Sequence, residues 1–358
     1  MKLPNTISTF TLLSSAIAGM VGSGWLLGPL ACARIAGPAA ILTWILAGLL
    51  MMVVAFTFIR LSRTMPTTGG TVRFFQLSYG HFAGFSFSWI VWLGWVAVAP
   101  IETMALLQYS SHYISDIMTT GDNPVLTHRG ILLAIICISM MSIINGYGVK
   151  TYSKVNTCLI TFKLLIPIMT AVVLMCSHFS LDIAFFSGGF MPYGIQSIFV
   201  ALPLAGVIYC FIGFNPVIQM AAEAKNPKKS IPIAIIGAMV LCILLYTMVQ
   251  VAFIFALPTT SLAHGWHHLR FANSSAPFVG LLTVFGFALL IKVLYVDAAV
   301  SPFGTALVQS MATSRLTLAM AENGYLPLAL LKRTSNGSPV RAITVNTIMG
   351  FAFFMPFP

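Results

Sequence analysis

Long apolar stretches dominate this sequence and limit its fold more than any other feature. About nine of them approach the roughly 20 residues that a helix needs to cross a bilayer. Only 7% of the 358 residues are charged, against roughly 25% in soluble proteins. Such a chain has too little polar surface to face water on all sides. The sequence therefore predicts an all-α polytopic membrane protein that forms one domain over residues 1–358.

The apolar stretches and the turn residues between them predict helices 1 to 9 in chain order. Their approximate bounds are Ile7–Leu30, Pro38–Leu61, Phe82–Tyr109, Gly130–Tyr147, Val155–Cys176, Ile195–Ala222, Ile231–Leu257, Leu289–Met320 and, for helix 9, Val340 to the chain end. An apolar interfacial stretch from Pro277 precedes helix 8.

Lysine and arginine fall mainly in alternate loops, a pattern that orients membrane proteins. With the amino terminus inside, the inner loops hold Lys2, Arg60, Arg63, Arg73, Lys150, Lys154, Lys225, Lys228, Lys229, Arg315, Lys332, Arg333 and Arg341. The outer loops hold only Arg34, Arg129 and Arg270. We therefore predict a cytoplasmic amino terminus in the cytoplasmic membrane. The net charge of +11 follows from this topology and does not indicate nucleic acid binding.

Sequence signs of metal, cofactor or enzyme chemistry are weak. The six cysteines are scattered and form no C-x-x-C pair, which favours small buried apolar roles. The run from His264 to His268 has no carboxylate or cysteine beside it. We find no nucleophile–base pair and no phosphate-binding loop. We therefore expect no metal, no cofactor and no enzymatic activity.

Two of the predicted spans are interrupted by glycine and proline. Helix 1 contains Gly22-Ser23-Gly24, and helix 6 contains Gly206, Gly213 and Pro216. Glycine in a membrane helix can serve close packing, or it can mark an unwound segment that lines a cavity. Interrupted spans in corresponding positions of two halves favour the second interpretation, an inverted-repeat transporter.

The predicted orientation of these two helices suits a zwitterion. The outer half of helix 1 begins near Gly24 and would offer N–H groups to a carboxylate. The outer half of helix 6 ends near Ile212 and would offer carbonyl groups to an ammonium. An α-amino acid carries both charges, so the sequence predicts an amino acid site here.

Several motifs in order resemble the amino acid–polyamine–organocation permease superfamily. They are Pro66–Gly70, the helix 1 motif Gly22–Gly24, Phe211–Pro216 with Ala222–Pro232, and Thr313–Arg315 with Met320–Pro327 and Gly337–Pro339. The resemblance implies a leucine-transporter-type fold of five-plus-five inverted repeats, with repeat 1 at about 7–177 and repeat 2 at about 195–358. About nine of the family's usual dozen helices are present, so we expect repeat 2 to be incomplete and the chain to be a fragment or a truncated product.

The resemblance also implies the contacts of the substrate. The carboxylate would meet the amides of Ser23 and Gly24, and the ammonium would meet the carbonyls of Met20, Tyr209 and Ile212. Gly22, Gly213 and Asn215 complete the expected site. Tyr209 lies where relatives often have an aromatic gate. Many relatives have an acid at the position of Asn215, so the role of that acid does not transfer.

Lys163, Glu102, Asp297 and Lys292 fall within predicted spans, where ionisable groups are functional candidates. Lys163 lies roughly 12 Å from the inner end of helix 5 at the helical rise. It resembles the lysine of proton-coupled members, and the alternatives are snorkelling or capping a helix 1 carbonyl. Glu102 could contact a cationic group, carry a proton or pair structurally. Asp297 could be a proton site or a structural partner, and Lys292 lies on a different face.

Together these features predict a secondary amino acid transporter, with proton symport favoured over amino acid/amine antiport. Gly22–Leu26 and Val296–Pro302 resemble the bacterial aspartate:proton symporter branch. A truncated, non-transporting membrane protein is the alternative from another class. The expected partners are an amino acid, protons and the lipid bilayer. The particular amino acid and the oligomeric state stay open.

Overall fold

The structure, a computed structural model, describes residues 7–65, 67–119, 124–184, 188–269 and 276–355, with Lys150 and Ala184 as backbone only. Lys2, Pro66, Arg270 and the last residues of helix 9 lie outside this part of the chain. The helices are α1 Thr9–Met20, α2 Gly24–Ala36, α3 Ala40–Thr64, α4 Gly70–Ser110, α5 His128–Gly146, α6 Val149–Ser177, α7 Gln196–Leu204, α8 Asn215–Gln219, α9 Pro227–Phe255, α10 Pro277–Val284, α11 Ala288–Glu322 and α12 Val340–Ala352.

Six helices in the described ranges are long and apolar enough to cross a membrane, or seven if the bent pair in helix 6 is one span. The protein is therefore a multi-pass membrane protein, but the expected count of about nine spans is not confirmed. The difference arises because α1 and α12 are only 12 and 13 residues long. In addition, α2 and α3 follow each other through one 3-10 turn and count together.

The short helix α1 lies among the longer helices and packs against α6, α9 and α11. Its start is fixed by Ser8, whose side chain accepts a hydrogen bond from Thr11 N–H in the manner of an N-cap. Most of its residues are buried. Around it, α3 packs along α9 and α4 packs along α11. The backbone of α1 therefore lies within protein rather than against lipid.

Helix 1 is interrupted as the glycine motif predicts. The α-helix stops at Met20, Val21 takes an extended conformation (φ −79°, ψ 91°), and α2 starts at Gly24. The Ser23 side chain makes no capping hydrogen bond to α2. The first N–H groups of α2 are thus left for other partners, as at any helix start.

Helix 6 is interrupted too, but not where the sequence placed the break. Its first half, α7, ends at Leu204, not near Ile212. Gly206 has a φ of +73°, a conformation that glycine adopts without strain and that ends an α-helix. A 3-10 segment, Ile208–Phe214, and then α8 follow, and the two parts are bent by 55°.

The two interrupted helices meet at glycine. A Cβ atom on Gly213 would collide with backbone atoms of Gly19 and Met20, and one on Gly19 would collide with the Gly213 carbonyl. Backbone therefore touches backbone at this crossing. The packing role that was the alternative for these glycines is present at Gly213, alongside the interruption itself.

The end of the bundle predicted to face inward is tied together. Ile7 pairs with Ala224 in an isolated parallel bridge, with Ile7 N–H donating to Glu223 O at 2.9 Å. Arg315 Nε donates to Glu223 Oε1 at 3.0 Å, and both side chains are buried. Glu322 pairs with Arg73. Glu223, Arg315 and Glu322 thus join four separate chain segments.

Substituting Gly213 by alanine should destabilise the protein. The added methyl meets backbone, which cannot rotate away, so we expect overpacking of about 1–3 kcal/mol or more and a lower melting temperature in detergent. The matched control is Gly94→Ala in α4, where a Cβ meets nothing within 4 Å. Equal melting temperatures for the two variants would contradict the close approach.

Neutralising Glu223 should destabilise the inner end. Glu223→Gln leaves Arg315 buried without its counter-charge, a change that typically lowers the free energy of unfolding by about 3–5 kcal/mol. The control is Asp116→Asn, which removes a solvent-exposed pair with Arg129 whose N–O distance is 3.6 Å and should leave stability unchanged. Thermal unfolding of both variants measures the difference, and an unaffected Glu223→Gln protein would show that the ion pair does not form.

Candidate functional site

The backbone at the start of α2 binds the carboxylate of a residue from another helix. Glu102 Oε2 accepts a hydrogen bond from Ser23 N–H at 3.1 Å. Ser23, Gly24 and Glu102 are each partly exposed, so they border a space rather than the sealed core. A helix start favours an anion through its N–H groups and the positive end of its dipole. The structure therefore shows a carboxylate held by one of the amides assigned to the substrate.

Gly22 allows this contact. A Cβ atom there would collide with Glu102 Oε1 and with Thr305 Oγ1, so any larger residue would displace one of them. Glu102 follows Pro100 in α4, and Thr305 lies in α11. The unwound segment is thus contacted by side chains from two long helices.

Lys163 contacts the end of α1, just before the unwound segment. Its side chain is fully buried, and Nζ donates to Ala18 O at 2.6 Å and to Thr305 Oγ1 at 2.8 Å. The Thr305 hydroxyl is also 2.8 Å from Ala18 O and 3.1 Å from Val21 O. Lys163 therefore caps a helix 1 carbonyl, one of the expected alternatives, and does not snorkel to the surface.

Asp297 is fully buried one turn before Ser301 in α11. Ser301 Oγ lies 3.0 and 2.9 Å from its two carboxylate oxygens. The buried indole N–H of Trp25 lies beside this carboxylate but outside hydrogen-bonding geometry. Lys292 is exposed and does not pair with it. Asp297 and Glu102 both act electrostatically on Lys163, so the three predicted coupling residues form one cluster of ionisable side chains.

Two of the carbonyls expected to bind the substrate ammonium already accept hydrogen bonds within the protein. Met20 O accepts a hydrogen bond from Tyr246 OH at 2.7 Å, and Ile212 O accepts one from Asn215 N–H. A carbonyl has two lone pairs, so each oxygen keeps one acceptor position. The Tyr209 side chain is 62% exposed. Gly213 packs against α1, and Asn215 is partly exposed at the start of α8.

Sequence reasoning missed two side chains of the site. Tyr246 in α9 bonds the Met20 carbonyl; a hydroxyl within an apolar span, which needs a partner, was a signal for it. Cys210 Sγ lies against Gly24, where a Cβ would collide with it. A lone cysteine in an apolar segment offers no comparable signal.

In the described part of the chain, no group of three or more His, Cys, Asp or Glu side chains could hold a metal ion. The six cysteines are free thiols.

Comparison with known proteins supports the predicted class of protein. Residues 7–358 match the amino acid permease family. The glutamate/serine transporter AimA of Bacillus subtilis is 36% identical over 99% of this chain and 66% of its own length. The aspartate-proton symporter of the same organism is 30% identical over 99% of this chain and 67% of its length. The gamma-aminobutyric acid permease of Bacillus subtilis is 27% identical over 98% of this chain.

The chain thus spans about two thirds of the length of the first two curated relatives. These relatives are transporters, in agreement with the expectation that the chain is not an enzyme. One assignment agrees with the interrupted helices, with the cluster of ionisable side chains beside them and with the match over nearly the whole sequence. The chain belongs to the amino acid permease family.

Proposed function

We propose that this protein transports an amino acid across the cytoplasmic membrane by proton symport with alternating access. The observation that carries the proposal is the carboxylate bound at the start of α2, in a member of the amino acid permease family. A site that holds the carboxylate of Glu102 has the chemistry to hold that of an amino acid. The names of these relatives favour glutamate, serine and aspartate as first candidates.

In this proposal the substrate lies across the two helix breaks. Its carboxylate meets the amides of Ser23 and Gly24, and its ammonium meets the remaining acceptor positions of the Met20, Tyr209 and Ile212 carbonyls. Gly22 has no side chain that could block the approach to the Ser23 amide. Gly213 packs directly against the backbone at the end of α1. The other expected residue, Asn215, lies at the edge of this site.

Proton coupling is assigned to Lys163, with Glu102 and Asp297 as the carboxylates that act on it. Lys163 connects the end of α1 to α11 through Ala18 O and Thr305 Oγ1. Loss or gain of one proton would change these hydrogen bonds and thereby the position of α1 relative to α11.

Alternating access is supported by the asymmetry between the two ends of the site. Toward the predicted inner side, the Arg315–Glu223 pair and the Ile7–Ala224 bridge hold helix ends together. Toward the start of α2, Ser23, Gly24 and Glu102 are partly exposed. We propose a five-plus-five repeat architecture, with repeats at about 7–177 and 195–358 and a cytoplasmic amino terminus, in which the inner contacts break when the substrate is released.

Uptake into liposomes that contain the purified chain tests the function. We expect at least one standard amino acid to accumulate faster with an inward proton gradient than without it. Accumulation that requires internal amino acid and ignores the gradient would contradict symport and establish exchange. Absence of both uptake and binding for every amino acid would contradict the proposed function.

Removing the Lys163 amine should abolish coupling. In Lys163→Ala, we expect gradient-driven uptake to fall to the level of empty liposomes, because no proton carrier connects α1 to α11. Lys292→Ala is the matched control, since this lysine also lies in a span but is exposed, and its uptake should equal that of the wild type. Undiminished gradient-driven uptake in Lys163→Ala would refute the assignment.

A further inference from the structure

The amide proposed to bind the substrate carboxylate is already engaged by the protein. Ser23 N–H donates to Glu102 Oε2, and Glu102 Oε1 lies against Gly22, the preceding residue. Ser23 has no side-chain cap of its own for α2. Glu102 thus supplies from α4 the anionic partner that α2 lacks in its own sequence.

Two carboxylates cannot hold this position together. A helix start offers the equivalent of roughly half a positive charge, which is less than one carboxylate carries. A second ionised carboxylate at the same amide would meet like-charge repulsion in a medium that screens it poorly. An arriving substrate must therefore meet a Glu102 that has moved away or has taken up a proton.

We propose that Glu102 is an internal occupant of the substrate-carboxylate subsite, and that an amino acid binds by replacing it. The inference rests on the proposed function, because it takes the start of α2 as the carboxylate site. It assigns Glu102 a role distinct from holding the substrate: in the empty carrier it occupies the amide, and in the loaded carrier it gives it up.

The surroundings of Glu102 determine what the released side chain can do. The titratable groups that act on it or are acted on by it are Lys163 of α6, Cys210 of the 3-10 segment and Tyr246 of α9. Thr305 of α11 shares its contact with Gly22. Lys163 is the one cation in this set. Glu102 displaced in its ionised form would keep only that partner, whereas protonated Glu102 leaves the amide as a neutral group.

Substrate binding is consequently linked to proton uptake. One proton taken from solution by Glu102 accompanies one carboxylate bound at Ser23, and the linkage is reciprocal. Protonated Glu102 does not compete as an anion, so the substrate binds more tightly as the pH falls through the titration of Glu102. Where Glu102 is ionised in the empty carrier, the dissociation constant rises by up to about tenfold per pH unit.

The linkage can be measured by titration calorimetry on the full chain in lipid nanodiscs. L-serine and L-glutamate are the ligands, and ethanolamine, which is L-serine without its carboxylate, is the control ligand. Dissociation constants are measured between about pH 5 and 7.5, a range in which the α-amino group of the ligand stays mostly protonated. The proteins are the wild type, Glu102→Gln, Glu102→Ala and Asp116→Asn, whose exposed side chain lies away from the site.

We expect the wild type and Asp116→Asn to bind the amino acid more weakly as the pH rises, with the slope given above. Both Glu102 variants should bind it at every pH as tightly as the wild type does at the acidic end. Ethanolamine should bind to none of the proteins, since it cannot replace the carboxylate. Glu102→Gln keeps an acceptor for Ser23 N–H, so it carries the test if Glu102→Ala does not fold.

Two results would overturn the inference while leaving the proposed function intact. Loss of binding in both Glu102 variants at every pH would mean that Glu102 holds the substrate directly. An unchanged pH slope in both variants would mean that another group takes up the proton. If neither amino acid binds to the wild type or to any variant, the proposed function fails, and the inference fails with it.

Discussion

The unwound segment between α1 and α2 is the constraint on which the rest of the structure depends. Backbone groups released from a helix at membrane depth need partners within the protein, because lipid offers none. The partners come from four long helices: Lys163 and Thr305 bond the Ala18 carbonyl, Tyr246 bonds the Met20 carbonyl, and Glu102 accepts the Ser23 amide. These four polar residues in otherwise apolar spans are thus accounted for by one opening in one helix.

The same contacts give the site its chemistry. A lysine and two carboxylates would be expensive in a bilayer if they stood alone. Here Lys163 and Glu102 bond backbone groups of the break, and both carboxylates act electrostatically on the lysine. Under the proposed mechanism, moving a proton or exchanging a carboxylate would change which of these groups holds the backbone. The Gly19–Gly213 contact would pass such a change to helix 6, since no side chain lies between the two backbones.

Much of this could be predicted from single residues, for physical reasons. Glycine and serine in a span identified the break at Gly22–Gly24, and a lysine far from either membrane surface identified Lys163. The helix 6 break was placed eight residues too late, because Gly206 and Gly213 both permit an interruption and only packing against α1 decides between them. The Ser23–Glu102 bond joins residues far apart in sequence, and nothing in local pattern pairs them. The predicted number of spans stays a prediction, because halves of interrupted helices are too short to be counted as spans on their own.

The start of α2 is the proposed carboxylate site of an amino acid carrier. Solid-state NMR of the protein in lipid, with a ¹³C-carboxylate amino acid and ¹⁵N-labelled serine and glycine amides, tests this proposal directly. Hydrogen bonding at about 2.9 Å between nitrogen and oxygen predicts measurable carbon–nitrogen dipolar coupling from the bound carboxylate to Ser23 and Gly24. Coupling to neither amide, in a sample where the amino acid is bound, would contradict the account.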